Sequence, residues 1–524
     1  MDNQRLVSGT RFGDLHPDTI GAQPEQKERE NVEELQFKVA TYVARMEILT
    51  PEALRVTCAH QALRCCGRAL RPLDDDLFGE SVVSETISCF WSHSWHGRHW
   101  MKSFSLMMRY NGLSSVLLGS FSALVMTVFF SCGVLPGIPR GFGETYREHW
   151  SAWSLPAGFV TAAITFVLWR PKQLVFLDRI CINEHDTDLK LASIYSLAGI
   201  LKKSDQMLVL WDSTWSDRLW CLFELAAFLK SKTVREQELL ITPTFLGPCS
   251  IALFVGVFIV MLPVTTVPMP SIAGVGGVGP YFVLVPLSGA VLFLLVSGYF
   301  IAAAFRAYFR SVQTMKTKLL QISCDHAKCA CCDLNHVYEG VRIMCDREIV
   351  KECISIWFGS EEAFEDYARS EVLEKLLGRL HDQIFTRQWS LSVSIPLLWA
   401  FLDLTVSHAR ANNTYAAVAQ LVEGVVLWFL CAPIFTDLCT FVAWRSCRKA
   451  TSKIREMLEN LKVELVGVLC FSVMAGSWFI SQAPYYQDRL YDAAAFGGVW
   501  SLVALFHYLY KVSRRSYLSR GFRA

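Results

Sequence analysis

Between residues 324 and 345 the sequence sets Cys324, His326, Cys329, Cys331, Cys332, His336 and Cys345. Zinc takes four Cys or His ligands in a tetrahedron, commonly through paired cysteines two to four residues apart. Cys324-x4-Cys329-x-Cys331 meets that spacing only approximately, and adjacent Cys331 and Cys332 rarely both reach one ion. The expectation is no metal, with thiols that are buried or lipidated. Three acids, Asp403, Glu423 and Asp437, stand inside apolar stretches. Carboxylates there are costly and mark a pathway or a buried pair. Asp403 and Asp437 lie near the ends of their stretches and reach water; Glu423, about two turns in, is the intramembrane acid. Asp178 closes the apolar run Gln173–Asp178, where an acid more often caps the next loop than binds a ligand.

These residues need elements to position them. The chain has 524 residues, 52% of them hydrophobic, and a net charge of +2. That balance excludes a nucleic-acid surface as the dominant feature, and no nucleic-acid partner is expected. A helix crosses about 30 Å of hydrocarbon with about 20 apolar residues. Eight stretches qualify as candidates, near Leu113–Leu135, Ala152–Trp169, Leu246–Leu262, Tyr281–Ala304, Trp389–Val406, Ala416–Ala443, Leu465–Ile480 and Phe496–Tyr510. Lys and Arg crowd the loop Arg445–Lys462 and the tail after Lys511, while the loop Pro263–Pro280 has none. By the positive-inside rule this predicts eight spans with both termini cytosolic. The N-terminal residues lack a signal-peptide pattern, and residues 1–36 read as a polar, disordered lead. The eighteen cysteines then face cytosol or bilayer, so no disulfide framework is expected. Asn412 begins a glycosylation sequon in a short external loop.

The polar pieces between the spans carry the remaining pattern. Thr50-Pro51 predicts a helix start, running to about Leu70, with Arg64, Arg68 and Arg71 around Cys65 and Cys66. Residues 170–245 alternate strand and helix: strands at Gln173–Asp178, Gln206–Trp211 and Glu238–Thr242, helices at Leu189–Lys203 and Asp217–Lys230. Apolar strands separated by helices predict a parallel sheet covered on both faces.

This piece resembles the middle of a TIR (Toll/interleukin-1 receptor homology) domain. The match lies in Phe176-Leu177-Asp178, Ser204, Met207–Leu210 and Arg218-Leu219-Trp220-Cys221-Leu222-Phe223-Glu224-Leu225. TIR domains open on a strand ending Ser-His-Ser, and Cys89-Phe90-Trp91-Ser92-His93-Ser94 stands about eighty residues upstream. The expected strand is Thr86–Ser92 and the expected first helix Arg98–Tyr110, with two spans interrupting the sheet. The segment from Cys345 to Glu365 resembles pieces that follow such a core in some membrane proteins.

The resemblance implies a flavodoxin-like parallel sheet. It also implies chemistry, because some TIR domains cleave NAD⁺ at the nicotinamide–ribose bond through an oxocarbenium-like transition state. Glu224 takes the position of the family's catalytic glutamate. Trp95, His96 and Arg98, after the first strand, and Asp178 lie on the carboxyl edge where ligands bind in open α/β sheets. Trp95 would stack on a ring and Arg98 would meet a phosphate. Ser92, His93, Trp220 and Cys221 complete the motif.

The organisation expected is an N-terminal helical or disordered region (1–84) and the first strand and helix of the module (85–112). A transmembrane hairpin (113–169), the main TIR-like segment (170–245) and a second hairpin (246–305) follow. A Cys-rich helical segment (306–388), four transmembrane helices (389–511) and a basic tail (512–524) complete the chain. The expected role is signalling or assembly at a membrane, with the bilayer as partner and other TIR domains joined by homotypic association; the resemblance leaves open both a module that only binds partners and one that also takes NAD⁺ as substrate. The competing expectation is an ion or solute transporter with the module as regulator, resting on Glu423.

Overall fold

The computed structural model describes residues 24–71, 76–140, 147–232, 238–266, 281–338, 341–342, 344–372, 385–482 and 489–521. The chain divides into two compact units. One gathers Met1–Leu106, Arg170–Leu246 and Ser311–His381; the other gathers Met107–Trp169, Gly247–Arg310 and Asp382–Ala524.

The first unit is built on a mixed six-stranded sheet. Its strands are β1 (Arg55–Cys58), β2 (Val82–Val83), β3 (Ile87–His93), β4 (Leu174–Phe176), β5 (Ser204–Trp211) and β6 (Glu238–Pro243). They lie in the order β2-β1-β4-β3-β5-β6. The stretch β4-β3-β5-β6 is parallel, and β1 and β2 add antiparallel strands at one edge. Parallel strands are covered on both faces and so read as continuous apolar runs. Accordingly Val175, Phe176 and Met207–Leu210 are fully buried. Phe90 sits at the seam, in register with Phe176 on one side and Met207 on the other. Thus β3 pairs with β4 although the helices His99–Ser131 and Ser154–Leu168 lie between them in the chain.

Several local expectations are corrected. The helix expected from Thr50 to Leu70 is broken: Pro51–Ala53 is one 3-10 turn and Arg55–Cys58 is strand β1. The cause is a free sheet edge, where Thr57 and Cys58 pair with Val175 and Leu174. The polar lead is helical over Pro24–Ala44, while residues 1–23 lie outside the described set. Its Glu, Gln, Lys and Arg are good helix formers. Tertiary packing fixes it: Ala40 and Val43 are buried, and Trp357 Nε1 on the helix Asp346–Phe358 donates to Ala44 O at 2.9 Å. The helix expected over Leu189–Lys203 divides into Thr187–Tyr195 and Leu197–Lys203 at Ser196, whose hydroxyl accepts Leu49 N–H at 2.8 Å. The expected first helix and first span are one element, His99–Ser131.

Among the described residues, five helices are long and apolar enough to cross a membrane: His99–Ser131, Leu246–Thr266, Thr414–Arg445, Lys453–Trp478 and Arg489–Lys511. A bent pair, Arg387–Val393 with Ile395–Arg410, makes a sixth if it counts as one span. Ser154–Leu168, at fifteen residues, is shorter than a full crossing needs. The span expected at Tyr281–Ala304 falls on the helix Tyr281–Leu320, whose side chains at 281–294 lie outside the described set. The expected loop Pro263–Pro280 and the last three residues lie largely outside it as well.

Polar groups of the second unit are closely paired. Asp403, fully buried, accepts the backbone N–H groups of Trp153, Ser154 and Leu155 at 2.9–3.1 Å and the Ser151 hydroxyl at 2.5 Å. It therefore serves the unpaired N–H groups that begin Ser154–Leu168. The expectation that Asp403 reaches water is overturned. Gly158 allows this helix to close on Trp399, since a Cβ there would lie 2.7 Å from the ring. Arg306, also fully buried, donates to Ser446 O at 2.7 Å and to Glu456 O at 3.1 Å, fixing the turn before Lys453–Gln482.

Candidate functional site

The parallel order β4-β3-β5-β6 reverses direction of connection between β3 and β5, and ligands in open α/β sheets bind beyond the strand carboxyl ends at such a point. Ser92 and His93 end β3 there, and the loop after β5 leads through Trp215–Asp217 into the helix Leu219–Ser231. That helix presents Glu224 to the end of β3. Ser92 Oγ donates to Glu224 Oε2 at 2.5 Å, and Trp215 Nε1 donates to Ser92 Oγ at 2.9 Å.

A second carboxylate lies in the same cluster. Asp178, just past β4, accepts Trp95 Nε1 at 2.9 Å and the Arg179 backbone N–H at 2.7 Å. His93 Nε2 stands 3.6 Å from Asp178 Oδ1, the oxygen that takes the Arg179 N–H, and the His93 and Trp95 rings meet edge-on at 4.5 Å. The two acids are driven apart electrostatically. Burial of its carboxyl pushes Glu224 up to about 8; the Asp178 charge adds to this, and the Ser92 hydrogen bond opposes it. Burial also raises Asp178, but the nearby His93 imidazole and the hydrogen bonds from Trp95 and the Arg179 N–H outweigh it and hold Asp178 below its usual range. At neutral pH the site therefore pairs a protonated acid with an ionised one, the separation that assigns distinct proton roles to two carboxyls.

The structure thus brings together Ser92, His93, Trp95, Asp178 and Glu224. His96 and Arg98 are exposed on the loop after β3. Cys221 is buried beneath His93, its thiol directed to the His93 carbonyl at 3.8 Å and pushed well above its usual value by burial. A thiol so protonated is no nucleophile. Trp220 faces elsewhere: its Nε1 donates to Asp346 Oδ2 at 3.4 Å.

Sequence reasoning did not single out the loop Asp212–Trp215, whose side chains support the end of β3. Thr214 Oγ1 donates to Ser94 Oγ at 2.7 Å or to Asp212 Oδ1 at 2.5 Å, and Lys102 Nζ donates to Ser94 O. Gly97 is needed for this approach, because a Cβ there would overlap the Asp212 carboxylate. The available signal was the run Trp211-Asp212-Ser213-Thr214-Trp215, polar residues between tryptophans at a strand's carboxyl end.

Glu423 in the second unit is fully buried and accepts Trp478 Nε1 and Ser481 Oγ, each at 3.0 Å. Asp437 is paired with Lys511, with His507 Nε2 at 3.6 Å.

The thiol-rich segment is tighter than its spacing predicts. Cys331, Cys332, His336 and Cys345 bring their ligand atoms within 4.8 Å of one another. Cys345 enters from thirteen residues along the chain, which the local spacing of Cys324, Cys329 and Cys331 did not reveal.

Comparison of the chain with protein-family models, curated proteins and solved structures returned no match.

Proposed function

We propose that this chain is a multi-pass membrane protein carrying a TIR-like module that acts in signalling or assembly at the membrane, with NAD⁺ cleaved at the Glu224 site. The observation that carries the reading is the Ser92–Glu224 hydrogen bond at the point where the parallel strand order reverses. The strand order β4-β3-β5-β6 supports a flavodoxin-like arrangement, with β3 as the family's first strand.

In this reading the positive nicotinamide ring enters beside Asp178 and Glu224. An opposite charge favours the ionised carboxyl, so Glu224 releases its proton to solvent as the cation arrives. The C–N bond to the ribose breaks, its electron pair leaves with nicotinamide, and positive charge develops on the ribose. Glu224 stabilises that charge, water attacks the ribose carbon, and its proton is released to solvent or carboxylate. The products are nicotinamide, ADP-ribose and one proton. Trp95 offers a stacking face and Arg98 a phosphate contact.

A second reading is a module that assembles with other TIR domains without catalysis. It is favoured by the internal pairing of both acids, Glu224 with Ser92 and Asp178 with Trp95. Turnover of NAD⁺ by the purified full-length protein in vesicles separates the two. Nicotinamide release that depends on Glu224 supports catalysis; absence of release from clustered protein supports assembly alone. The helices serve as anchors in either case, eight by the pattern of the sequence, and the bonds closing around Glu423 weigh against a transport path.

A further inference from the structure

We propose that Cys331, Cys332, His336 and Cys345 form a structural zinc site that holds the start of the Glu224 helix. All four ligand atoms lie within 4.8 Å of one another, in the range of a collapsed tetrahedron. The Cys332 and Cys345 sulfurs are 3.7 Å apart. Two thiolates on one zinc, each about 2.3 Å from it at tetrahedral angles, stand about 3.8 Å apart. None of the cysteines is in a disulfide.

Three features beyond proximity point to a ligand. His336 Nε2 is buried and, among the described residues, makes no hydrogen bond to a nitrogen or oxygen; its charge-relevant neighbour is the Cys345 thiol. Buried polar atoms are ordinarily paired, and an exception calls for an ion, a water or a strained role. Asn335 and His336 both adopt left-handed backbone angles, φ 51° and 58°, which residues with a side chain occupy at a cost. That turn is what sets the imidazole beside the thiols. Finally, the Asp346 N–H donates to Cys331 Sγ at 3.2 Å, the kind of outer contact that steadies a metal-bound sulfur.

Three thiolates and an imidazole select a borderline-soft ion with no geometric demand, which is zinc rather than magnesium or calcium. Cys329 lies 3.1 Å from Cys331 and is assigned as a neighbour, not a ligand. A closed four-ligand set with no open position is structural.

The site's position explains what it would hold. The segment just before it pairs with the chain leading into the Glu224 helix: Lys328 N–H donates to Asp217 O at 2.7 Å and Leu219 N–H to Lys328 O at 3.2 Å. Just after it, Asp346 accepts Trp220 Nε1 on that same helix. Metal in the knuckle ties these two contacts together, so its loss loosens residues 217–220. The inference does not rest on NAD⁺ cleavage.

The test is metal analysis of the full-length protein purified without chelator, with cobalt substitution as the spectroscopic readout. About one zinc per chain is expected, and the cobalt form should give a tetrahedral thiolate spectrum. Cys345→Ser and Cys332→Ser should each lose metal and raise amide exchange at residues 217–220. His336→Cys, which keeps a four-ligand set, should retain metal even if the serine variants fold poorly. Cys353→Ser, a buried thiol outside the cluster, and Cys329→Ser should retain it. Wild type without metal, retention in Cys345→Ser, or thiols recovered as disulfides would overturn the site. Loss in Cys329→Ser with retention in Cys331→Ser would overturn the ligand assignment.

Discussion

Ser92 and Glu224 meet across a 2.5 Å hydrogen bond although 132 residues separate them. One ends β3 and the other rides on the helix after β5, so the bond exists only where those strands are neighbours. The contact gives a dehydrated acid one donor and leaves burial to raise its proton affinity.

Replacement of Glu224 tests the chemistry. Glu224→Ala and Glu224→Gln should each lower NAD⁺ turnover about a hundredfold or more, the usual loss on removing a preorganised charge-stabilising group. The glutamine keeps size and hydrogen bonding to Ser92, so its failure would isolate the charge. Nicotinamide release measured by chromatography decides it, and equal rates in all three proteins would remove Glu224 from the reaction.

Stability should carry a pH signature of the same residue. Glu224 titrates near 8 in the fold against an ordinary 4.5, so the folded state binds its proton more tightly than the unfolded chain. The associated stabilisation is complete below the ordinary value and is lost as pH rises through about 8. Denaturation midpoints in detergent at about pH 6 and about pH 9 should fall between the two, and Glu224→Gln should flatten the difference. A wild-type midpoint that rises over this interval would contradict the assignment.

Asp403 should matter more than its place near a helix end implies. Asp403→Ala leaves buried N–H groups of Ser154 and Leu155 without this acceptor. A cost of at least about 2 kcal/mol is expected, read as a lowered unfolding midpoint. An unchanged midpoint would mean the carboxylate is dispensable.

Glu423 distinguishes anchor from pathway. Vesicles containing the wild-type protein should show no proton or cation flux above empty vesicles, and Glu423→Gln should change nothing. Glu423→Leu should instead lower stability by about 1–3 kcal/mol, because Trp478 Nε1 loses its buried acceptor. A flux abolished by Glu423→Gln would establish transport.

Topology follows from the basic loops. Tags placed at the C-terminus and in the loop 263–280 should be accessible from opposite sides of the membrane, the C-terminal one from the cytosol. Labelling of both from one side would refute the odd number of spans, five, expected between them.

Sequence alone determined the elements whose signal is local. Apolar runs of span length reveal the long helices, and the unbroken run Met207–Trp211 reveals a strand covered on both faces. Likewise, Ser92, Asp178 and Glu224 could be singled out by motif. Tertiary structure decided what local pattern could not. Arg55–Cys58 satisfies its backbone at a sheet edge instead of continuing a helix, because long-range pairing outweighs a modest local preference. Neighbouring strands bring Ser92 to Glu224, while the entry of Cys345 turns a loose run of thiols into a four-ligand cluster. Asp403 became a helix-capping acid only when Ser154 and Leu155 came within reach. Hydrophobic period and turn chemistry act over a few residues, whereas a hydrogen bond or ligand set depends on distances that only the packed chain fixes.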